Sequence, residues 1–571
     1  MQLIIDGIAI TPKAGQTLRE ILAEQGMDAH ALPTRPIAAD MAGEVFTLNY
    51  VPLREHSLHA DAYARTRRAV KKSGGQIRLI RYDDERGVRI YERGLLFVFF
   101  LALRRAFPGA KAKVHHAIGS GIYITVQKET PLTAEDTALL KETCRAIAGE
   151  DIPFVRKRME LEEAVDYFTA DGQQDKADIL HWRQLPFFDA YTCGGHTDYF
   201  YGEMPPSTGY LSVFDIAFDN GGLYILRPQS GNPAVPAPYN PSPKFAEVFW
   251  ESDRWGSLLH CETVADLNRI IEKNKLRELI RVNEALHEKR YAEIASEIVR
   301  RDCRLVLISG PSSSGKTTSA NRVSTQLRVL GKTPVPISLD DYYLDRNLIA
   351  PGPDGKIDLE HINTIDVPRF RQDMERLLAG ETVETPLFSF ITARREPHGK
   401  CIKMEPDTVL VVEGLHALNP DMLPHFDLSL VYRLYVSALT TLNLDDHNRI
   451  PTTDVRLLRR MVRDYATRGA SVERTLGMWD SVRAGEGHWV FPYQEAADAI
   501  FNTALVYELA VLKGYMYPLL NTVEAGSPCY DEVQSIRKFL NYLPGAGAEA
   551  ADEIPPTSIL REFIGGNTYY K

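Results

Sequence analysis

The residue types best suited to chemistry are concentrated in one short stretch that begins at Gly310. An apolar, β-branched run at 305–309 precedes the letters GPSSSGKTT, and a helical pattern follows them. Glycines let backbone N–H groups face inward around phosphate oxygens, and the amino terminus of the next helix adds a positive dipole end. The spacing G-x-x-x-x-G-K-[ST] between a strand and a helix therefore predicts a site for a nucleoside triphosphate.

We expect the phosphates to be held by this loop and by the first turn of the helix. The side chain of Lys316 should reach the β and γ phosphates, and the hydroxyl of Thr317 should ligate magnesium. The predicted nucleotide-binding residues are Gly310, Pro311, Ser312, Ser313, Ser314, Gly315, Lys316, Thr317 and Thr318.

Acidic residues end two further apolar runs downstream. VPISL is followed by Asp340 and Asp341, and VLVV is followed by Glu413. Carboxylates at the carboxyl ends of strands in an open α/β sheet lie over the ligand crevice. Asp340 could take the proton of an acceptor hydroxyl, and Glu413 could hold magnesium directly or through water. A plain strand-end turn, where Asp is favoured in any protein, is the alternative for Asp340 and Asp341.

Arginines recur in the helical pattern DVRLLRRMVRDYATRG. Arg456, Arg459, Arg460 and Arg463 share one face at helical spacing, and Arg468 follows them. Such a face suits a lid that closes on a transferring phosphate. A solvated face and an RNA contact are the alternatives.

The overall composition is that of a multidomain globular protein. A length of 571 residues predicts about three or four domains. The chain has 66 Lys and Arg against 76 Asp and Glu, a net charge of −10, which argues against a protein that coats nucleic acid. The six cysteines lie far apart without a C-x-x-C pair, so we expect reduced thiols in a cytoplasmic chain.

The apolar runs are too short for a membrane protein. The longest lies at 94–103, between Arg93 and Arg104, and has about half the length that a bilayer requires. We predict that it forms a buried helix and that the protein has no membrane contact. The first residues carry Asp6 within an apolar stretch and no basic lead, unlike a secretory signal.

Residues 1–87 show short alternating runs around one helical pattern, TLREILAEQ. Thr17 and Glu20 have the spacing of a capping box for that helix. Short strands around one helix predict a small α+β unit. The segment resembles a TGS domain, the β-grasp unit of threonyl-tRNA synthetases, with a basic stretch, TRRAVKKSGG, inserted.

Residues 88–228 resemble the second additional domain of threonyl-tRNA synthetase, which implies an α+β fold. In that family an H-x-x-x-H pair and a later Cys and His hydrolyse mischarged tRNA. The two helical histidines correspond to Arg93 and Phe97, the cysteine position falls on Thr192 with Cys193 one residue late, and His196 is retained. Because Phe cannot act as a base or a ligand, we do not expect the editing chemistry. Cys193 and His196 as a vestigial or repurposed site remain the alternative.

Two adjacent histidines in the same region, His115 and His116, could suggest a metal site. Neighbouring residues of an extended segment point to opposite faces, so they cannot readily share one ion. We interpret them as ordinary polar or partly buried side chains.

Residues 229–299 are predicted to connect the amino-terminal units to the triphosphate site. The proline-rich stretch at 227–244 should form a stiff, extended linker, since proline fixes φ and removes donors. The helical pattern after it should pack on the domain that follows. Residues 526–571 form a tail that we expect to dock through Ile559, Leu560 and Phe563.

Residues 300–525 resemble the uridine kinase and phosphoribulokinase group of P-loop kinases. The letters GPSSSGKTT, DDYY, DLEHINTID, PLFSF, VVEG, RRMVRD and FPYQEAADAIF follow in that group's order. The resemblance implies a parallel sheet flanked by helices, with ATP and Mg²⁺ as cofactors. It places the catalytic base on Asp340, the magnesium-linked acid on Glu413, and the lid arginines on Arg463 and Arg468.

The acceptor side departs from that group. Tyr343 falls on an aromatic residue of the acceptor pocket, and Glu360 on the acid that holds ribose. The two residues that recognise a pyrimidine base fall on Phe388 and Ala393, so uridine itself is in doubt. The predicted substrate-binding residues are Asp341, Tyr343, Glu360, Phe388 and Arg459.

An insertion, LDDHNRIPTTD, precedes the arginine-rich helix. Its polar residues, Asp445, Asp446, His447 and Arg449, could build a different acceptor site. A polar loop is the alternative.

The leading hypothesis is an ATP-dependent kinase of a nucleoside hydroxyl. Asp340, Lys316 and Arg463 would be the catalytic residues, and Arg468 would contact the nucleotide. One alternative is an RNA- or ribosome-associated NTPase whose amino-terminal modules contact RNA. Another is a kinase of a different small acceptor, such as a sugar phosphate. The sequence leaves homo-oligomerisation open.

Overall fold

The protein is described from a computed structural model. It covers residues 2–13, 15–29, 31–52, 69, 72–219, 221–350, 358, 360–389, 392–423, 426–524, 526–546 and 548–569. Residues 66–68, 70 and 71 of the basic stretch TRRAVKKSGG, at 66–75, lie outside these described residues.

The described residues of the amino-terminal segment include a five-stranded sheet and a helix that packs on it. The strands are β1 (Leu3–Ile5), β2 (Ile8–Ile10), β3 (Ala38–Met41), β4 (Glu44–Thr47) and β5 (Gln76–Ile80), in the order β2-β1-β5-β3-β4. Helix α1 (Leu18–Glu24) begins at Thr17, whose side chain forms the expected capping box with Glu20. Strands β1 and β5 are parallel neighbours, and the other pairs are antiparallel.

The next segment packs a long helix on two antiparallel sheets. Helix α2 (Glu85–Ala106) holds the apolar run, whose residues 94–103 are all buried. The first sheet contains β6 (Lys111–Ile118), β7 (Gly121–Gln127), β11 (Asp215–Asp219) and β12 (Gly222–Leu226). The second contains β8 (Val155–Glu160), β9 (Phe187–Cys193) and β10 (His196–Asp198). Helices α3 (Ala134–Gly149), α4 (Leu161–Ala170) and α5 (Gln174–Leu180) complete this part.

The proline-rich stretch differs from the extended linker that we predicted. Strands β13 (Pro228–Gln229) and β14 (Asn232–Pro236) pair as an antiparallel ribbon, and helix α6 (Pro243–Leu258) starts with a proline in its first turn. Proline is tolerated in both places, because a helix start and a ribbon edge do not use its missing N–H.

Two more helices, α7 (Val264–Glu272) and α8 (Leu276–Arg300), lead to the triphosphate-site domain. As expected, the connector packs on that domain. Tyr291 of α8 bonds to the Ser319 hydroxyl at 2.8 Å, and Glu288 accepts from Arg322 at 2.7 Å.

The carboxyl-terminal domain contains a five-stranded, all-parallel sheet. Its strands are β15 (Leu305–Ser309), β16 (Thr333–Ser338), β21 (Thr408–Glu413), β22 (Val431–Ser437) and β23 (Ala499–Asn502), in the order β16-β21-β15-β22-β23. Helices α9 (Lys316–Val329), α10 (Val367–Leu378), α11 (Thr452–Arg468), α12 (Val472–Trp489) and α13 (Glu508–Leu520) belong to this domain. Because the central strands β15 and β21 are buried on both faces, they are almost continuously apolar.

Short ribbons and a helical tail complete the domain. The ribbons pair β17 (Thr382–Thr385) with β20 (Lys400–Lys403) and β18 (Phe388–Ser389) with β19 (Arg394–Arg395). The tail contains α14 (Tyr530–Leu540), α15 (Ala548–Glu553) and α16 (Arg561–Ile564), and Ile559, Leu560 and Phe563 are buried as predicted. Within the described residues, no helix combines the length and apolarity needed to span a bilayer.

The insertion before α11 contacts the amino-terminal half. The N–H of Val114 donates to the Asp446 carbonyl at 2.7 Å, and the Asn443 side chain donates to the Val114 carbonyl at 2.7 Å. His447 stacks on Phe100 with ring centroids 3.5 Å apart. This loop therefore joins the two halves through these contacts, and a role of its polar residues in an acceptor site stays a prediction.

Candidate active site

The loop between β15 and α9 turns tightly around an open centre. A Cβ on Gly310 would lie 2.0 Å from the carbonyl oxygen of Val436, so only glycine fits there. Gly315 has φ +85° and Ser313 has φ +58°, both in the left-handed region. The turn ends at the amino terminus of α9, where the free N–H groups and the helix dipole favour an anion.

Lys316 is held by neutral groups of the loop itself. Its ammonium donates to the carbonyl oxygens of Gly310 at 3.0 Å and Pro311 at 3.1 Å. Neither oxygen carries a full charge, so the positive charge of Lys316 remains available for phosphate oxygens.

The two predicted acidic residues lie at the same sheet edge as the loop. Glu413 is the last residue of β21, and it is paired in register with Ile308 of β15 and Ser338 of β16. Asp340 follows β16 in a short 3₁₀ turn over Leu339–Tyr342. The Ser338 hydroxyl links the two elements, because it donates to Glu413 at 2.9 Å and accepts from the Asp340 N–H at 3.3 Å.

The carboxyl groups of Asp340 and Glu413 lie close enough for their charges to act on each other, although Asp340 is exposed and Glu413 is half-buried. Desolvation raises the pKa of Asp340, although the charges of Lys316, Arg468 and Arg463 oppose that rise. Burial and the neighbouring Asp340 raise the pKa of Glu413 to about 7. Two carboxylates that disfavour each other's charge beside one lysine form a site where a bound cation would be favoured.

The predicted acceptor residues lie next to these acids. Asp341 accepts a hydrogen bond from the Phe388 N–H at 3.3 Å, and the rings of Tyr343 and Phe388 are 5.7 Å apart. Burial, together with the charge of Glu486, raises the pKa of Glu360 to about 7 against the opposing charges of Arg460 and Lys316. The structure thus brings an aromatic wall and a third, half-buried acid to the mouth of the loop.

The comparisons with known proteins relate this part of the chain to a family. Residues 305–509 match the model of the Phosphoribulokinase / Uridine kinase family. This match supports a P-loop kinase fold for the segment.

Relatives of the chain match different parts of it. Threonine–tRNA ligase of Syntrophomonas wolfei is 28% identical over 171 residues, which cover 29% of this chain and 26% of the ligase. Uridine kinase of Lactobacillus johnsonii is 27% identical over 197 residues, which cover 34% of this chain and 84% of that kinase. The chain spans about a quarter of the length of the threonine–tRNA ligases that it matches.

Solved structures also resemble the chain. One from Bacillus stearothermophilus, described as a possible uridine kinase, has 18% sequence identity and a TM-score of 0.24. The similarity covers 35% of this chain and 89% of that one.

The arginine-rich face of α11 differs from the lid that we predicted. Arg456, Arg459 and Arg460 are buried against the outer side of the P-loop. Arg456 donates to the Ser312 carbonyl at 3.0 Å, Arg459 to the Ser313 carbonyl at 3.4 Å, and Arg460 to the Ser312 hydroxyl at 2.8 Å. These three side chains hold the loop in shape from behind.

Arg459 is therefore misplaced in the predicted substrate-binding set. Its guanidinium is fully buried and donates to the Glu508 carboxylate at 2.7 Å and to the Thr503 carbonyl at 2.9 Å. Because the side chain of Arg459 is buried and its N–H groups are used in this way, it cannot contact the hydroxyl substrate.

Arg463 and Arg468 occupy the other end of the same helix, near the active-site mouth. Both pair with Asp464, at 3.0 Å and 3.4 Å, and Arg468 remains 61% exposed. Their charges act on Asp340. Their roles toward a transferring phosphate stay predictions.

Three acidic residues near the P-loop were missed by sequence reasoning. Glu486 accepts from the Ser312 N–H at 2.7 Å and pairs with Arg456, and Glu508 pairs with Arg459. Glu562 of the tail accepts from the Thr318 hydroxyl at 2.6 Å. No local pattern marks these residues, because their partners lie 30 to 244 positions away in the chain.

The residues that resemble an editing site form no hydrolytic group. Burial raises the pKa of the Cys193 thiol to about 12, so its thiolate is disfavoured. His196 is buried, and its ring centroid lies 5.3 Å from that of Phe97.

The adjacent histidines His115 and His116 have different partners. His115 forms hydrogen bonds with Asp253 and Thr125, whereas His116 stacks on Phe249, as expected for side chains on opposite faces of a strand. Among the described residues, no group of three or more His, Cys, Asp and Glu side chains has the geometry of a metal site.

Proposed function

We propose that the protein transfers the γ-phosphate of ATP to a nucleoside hydroxyl, with the 5′-OH of a uridine- or cytidine-type nucleoside favoured and the base left open. The observation that carries this proposal is the convergence of Asp340, Glu413 and Lys316 at the mouth of the P-loop. A base, an acidic metal-linked residue and a phosphate-binding lysine are the parts that phosphoryl transfer requires. The family match of residues 305–509 supports the same reaction class.

The Asp340 carboxylate would act as the general base. It would accept the proton of the acceptor hydroxyl as the acceptor oxygen bonds to the γ-phosphorus and the bond to the β–γ bridging oxygen breaks. Lys316 and Arg463 would stabilise the charge on the transferring group, and Arg468 would contact the nucleotide. ADP then leaves with the bridging oxygen.

Thr317 and Glu413 are the residues that would hold Mg²⁺. The fit rests on the hydroxyl of Thr317 at the start of α9 and on the crowded carboxyl groups of Asp340 and Glu413. Hydroxyl and carboxylate oxygens are the ligands that Mg²⁺ prefers. When bound, the ion would supply charge neutralisation between the β and γ phosphates.

The side chains of the acceptor pocket also suit a second class of substrate. Phe388 and Ala393 offer no side-chain hydrogen bond to a base, and Ala393 lies in the left-handed region with φ +53°. Glu360 can still accept hydrogen bonds from vicinal hydroxyls. A sugar or sugar phosphate is therefore the second candidate acceptor.

A coupled assay of ADP release tests the proposal. The protein would be incubated with ATP and Mg²⁺ across a panel of nucleosides and sugar phosphates, with Lys316→Ala as the blank. We expect turnover that depends on one acceptor class and falls with Asp340→Asn. Turnover that is stimulated by RNA instead, and is indifferent to Asp340→Asn, would favour an RNA-associated NTPase.

A further inference from the structure

A second large cavity lies outside the P-loop, between the two halves of the molecule. It has a volume of about 720 Å³, within the range of sites for small molecules. Its walls come from α2, the β6–β7 turn and α6 on one side, and from the end of β22 and the starts of α11 and the 447–454 loop on the other.

Positive charge is in excess around this cavity. Six guanidinium groups line it: Arg89, Arg93, Arg227, Arg449, Arg456 and Arg483. Their ion pairs use four carboxylates: Glu85, Glu92, Asp454 and Glu486. Two positive charges therefore remain without a counter-charge in these pairs.

Arg93 is one of the uncompensated charges. Its guanidinium donates twice to the backbone carbonyl of Glu203, at 3.0 and 2.9 Å, and it forms no ion pair with any described residue. The Glu203 carboxylate instead contacts Arg156 and Tyr191. Burial lowers the pKa of Arg93 to about 10, as expected for a guanidinium that lacks a paired carboxylate.

The second positive charge without its own carboxylate lies beside Glu92. One carboxylate faces two guanidinium groups, Arg227 at 3.3 Å and Arg449 at 2.8 Å. In the described part of the chain, the buried Nε atoms of Arg227, Arg449 and Arg456 have no hydrogen-bond partner. Buried donors without partners are costly, so an anion that accepts from them would be stabilised.

Aromatic rings line the same cavity. Tyr224 and Tyr239 have ring centroids 5.5 Å apart, and Phe245 lies 6.0 Å from Phe249 and 5.8 Å from Tyr435. Such walls accommodate a planar ring.

We propose that this cavity binds a mononucleotide, with its phosphate on Arg93 and the guanidinium groups around Glu92 and its base among the aromatic rings. The site is separate from the P-loop and uses residues of both halves. It goes beyond the proposed kinase reaction, and its occupancy does not depend on that reaction.

One ion pair connects the cavity to the P-loop. Arg456 lines the cavity, pairs with Glu486 and donates to the Ser312 carbonyl, while Glu486 accepts from the Ser312 N–H. An anion that draws on Arg456 would alter how the loop presents Ser312 to ATP. The bound mononucleotide would therefore act as an effector of ATP binding.

Calorimetric titration with the Lys316→Ala protein tests the site, because this variant lacks the P-loop lysine. The probes are adenosine and uridine 5′-monophosphates and inorganic phosphate. We expect one of the monophosphates to bind more tightly than phosphate, and we expect Arg93→Met to weaken that binding about tenfold or more, the cost of a lost charge-assisted hydrogen bond.

The matched control is Arg105→Met, which removes a charge from the same helix but from an exposed pair with Glu150. It should leave binding unchanged, and Arg93→Lys should restore part of the affinity. If Arg93→Met fails to fold, as judged by its thermal transition, Arg227→Met replaces it.

Three outcomes would overturn the proposal. The first is the absence of monophosphate binding to the Lys316→Ala protein. The second is binding that Arg93→Met and Arg227→Met leave unchanged, since a product bound at the acceptor pocket would behave that way. The third is that inorganic phosphate binds as tightly as both monophosphates. This result would mean that the aromatic rings contribute nothing to the affinity.

Discussion

Asp340 and Asp341 are adjacent residues with different surroundings. Asp340 lies among Lys316, Arg463 and Arg468, whereas the Asp341 carboxylate accepts from the Phe388 N–H at 3.3 Å. Asp340 is therefore placed to accept a proton, whereas Asp341 fixes the position of the strand that contains Phe388.

Replacing Asp340 with Asn should lower kcat by roughly 10²- to 10⁴-fold, the usual contribution of a general base. The amide keeps the size of the side chain but cannot accept the acceptor's proton. The KM for ATP should change little, which steady-state kinetics would show. Asp341→Asn is the comparison variant: because Asp341 belongs to the predicted acceptor site, we expect it to change the KM for the acceptor and not kcat. Equal losses in the two variants would contradict the assignment of the base.

Glu360 should give the acceptor affinity a pH dependence. Its pKa is raised to about 7, so the carboxyl group is mostly protonated at pH 6 and mostly ionised at pH 8. Only the ionised form accepts hydrogen bonds with both oxygens. The KM for the acceptor should therefore fall by roughly tenfold from pH 6 to pH 8.

The Glu360→Gln variant should lose that dependence, because its amide does not titrate. Initial rates across the pH range, with the KM for ATP measured in parallel, would check this. A profile that persists in Glu360→Gln would assign the titration to another group.

At the scale of elements, α11 acts as a support for the P-loop. The buried pair of Arg459 and Glu508 connects it to α13 at 2.7 Å. The Phe563 ring of the tail lies 5.1 Å from the same guanidinium. The helix, the loop and the tail are therefore coupled through one arginine.

Arg459→Met should destabilise the kinase domain by about 3–5 kcal/mol, because it leaves the buried Glu508 charge without a partner. Urea unfolding would measure the change in the free energy of unfolding. Arg281→Met is the control, since Arg281 is exposed and water screens its pair with Glu553, so the free energy of unfolding should stay nearly unchanged. A loss of activity without a loss of stability would instead return Arg459 to the substrate site.

How far the sequence predicted these elements depends on the range of the interactions. The P-loop, the capping box of Thr17 and Glu20, and the buried helix at 94–103 rest on local patterns, and all three are found. The arginine face of α11 was predicted as a lid because its partners, Glu486 and Glu508, come from other helices. The ribbon at 228–236 was missed since proline composition does not specify edge pairing.

At the scale of the whole molecule, the tail closes over the start of α9. Ile559 lies where a Cβ on Gly315 would come within 2.9 Å, and Glu562 accepts from the Thr318 hydroxyl. The charge of Glu562 also acts to raise the pKa of Glu413. A negative group from the last residues thus lies beside the predicted phosphate site.

Glu562→Gln should lower the KM for ATP several-fold, because it removes a negative charge near the triphosphate while an amide oxygen still accepts from Thr318. Glu553→Gln, an acid of the same tail that pairs with Arg281, should leave the KM unchanged. Nucleotide titrations of both variants would check this. A higher KM in Glu562→Gln would mean that the carboxylate itself binds part of the nucleotide.

The two halves of the molecule meet at a buried charged cluster. The Lys176 ammonium contacts the Asp198 carboxylate and the His447 ring, and His447 contacts Asp198 at 2.7 Å. Burial acts to raise the pKa of Asp198, but Lys176 and His447 outweigh it and hold the pKa well below its usual value. Since His447 belongs to the kinase domain and the other two residues to the amino-terminal half, the cluster binds the halves together.

Lys176→Met should therefore lower the free energy of unfolding by about 3–5 kcal/mol, because Asp198 would stay buried and charged without its ammonium partner. The double variant Lys176→Met/Asp198→Leu should recover much of that loss, since removing both charges leaves neither unpaired. Lys157→Met, which breaks an exposed pair with Glu163, is the control. Differential scanning calorimetry should show the single variant unfolding in two transitions as the halves uncouple. One unshifted transition would mean that the other contacts between the halves, such as those of Asn443 with Val114 and of Arg449 with Glu92, suffice without this cluster.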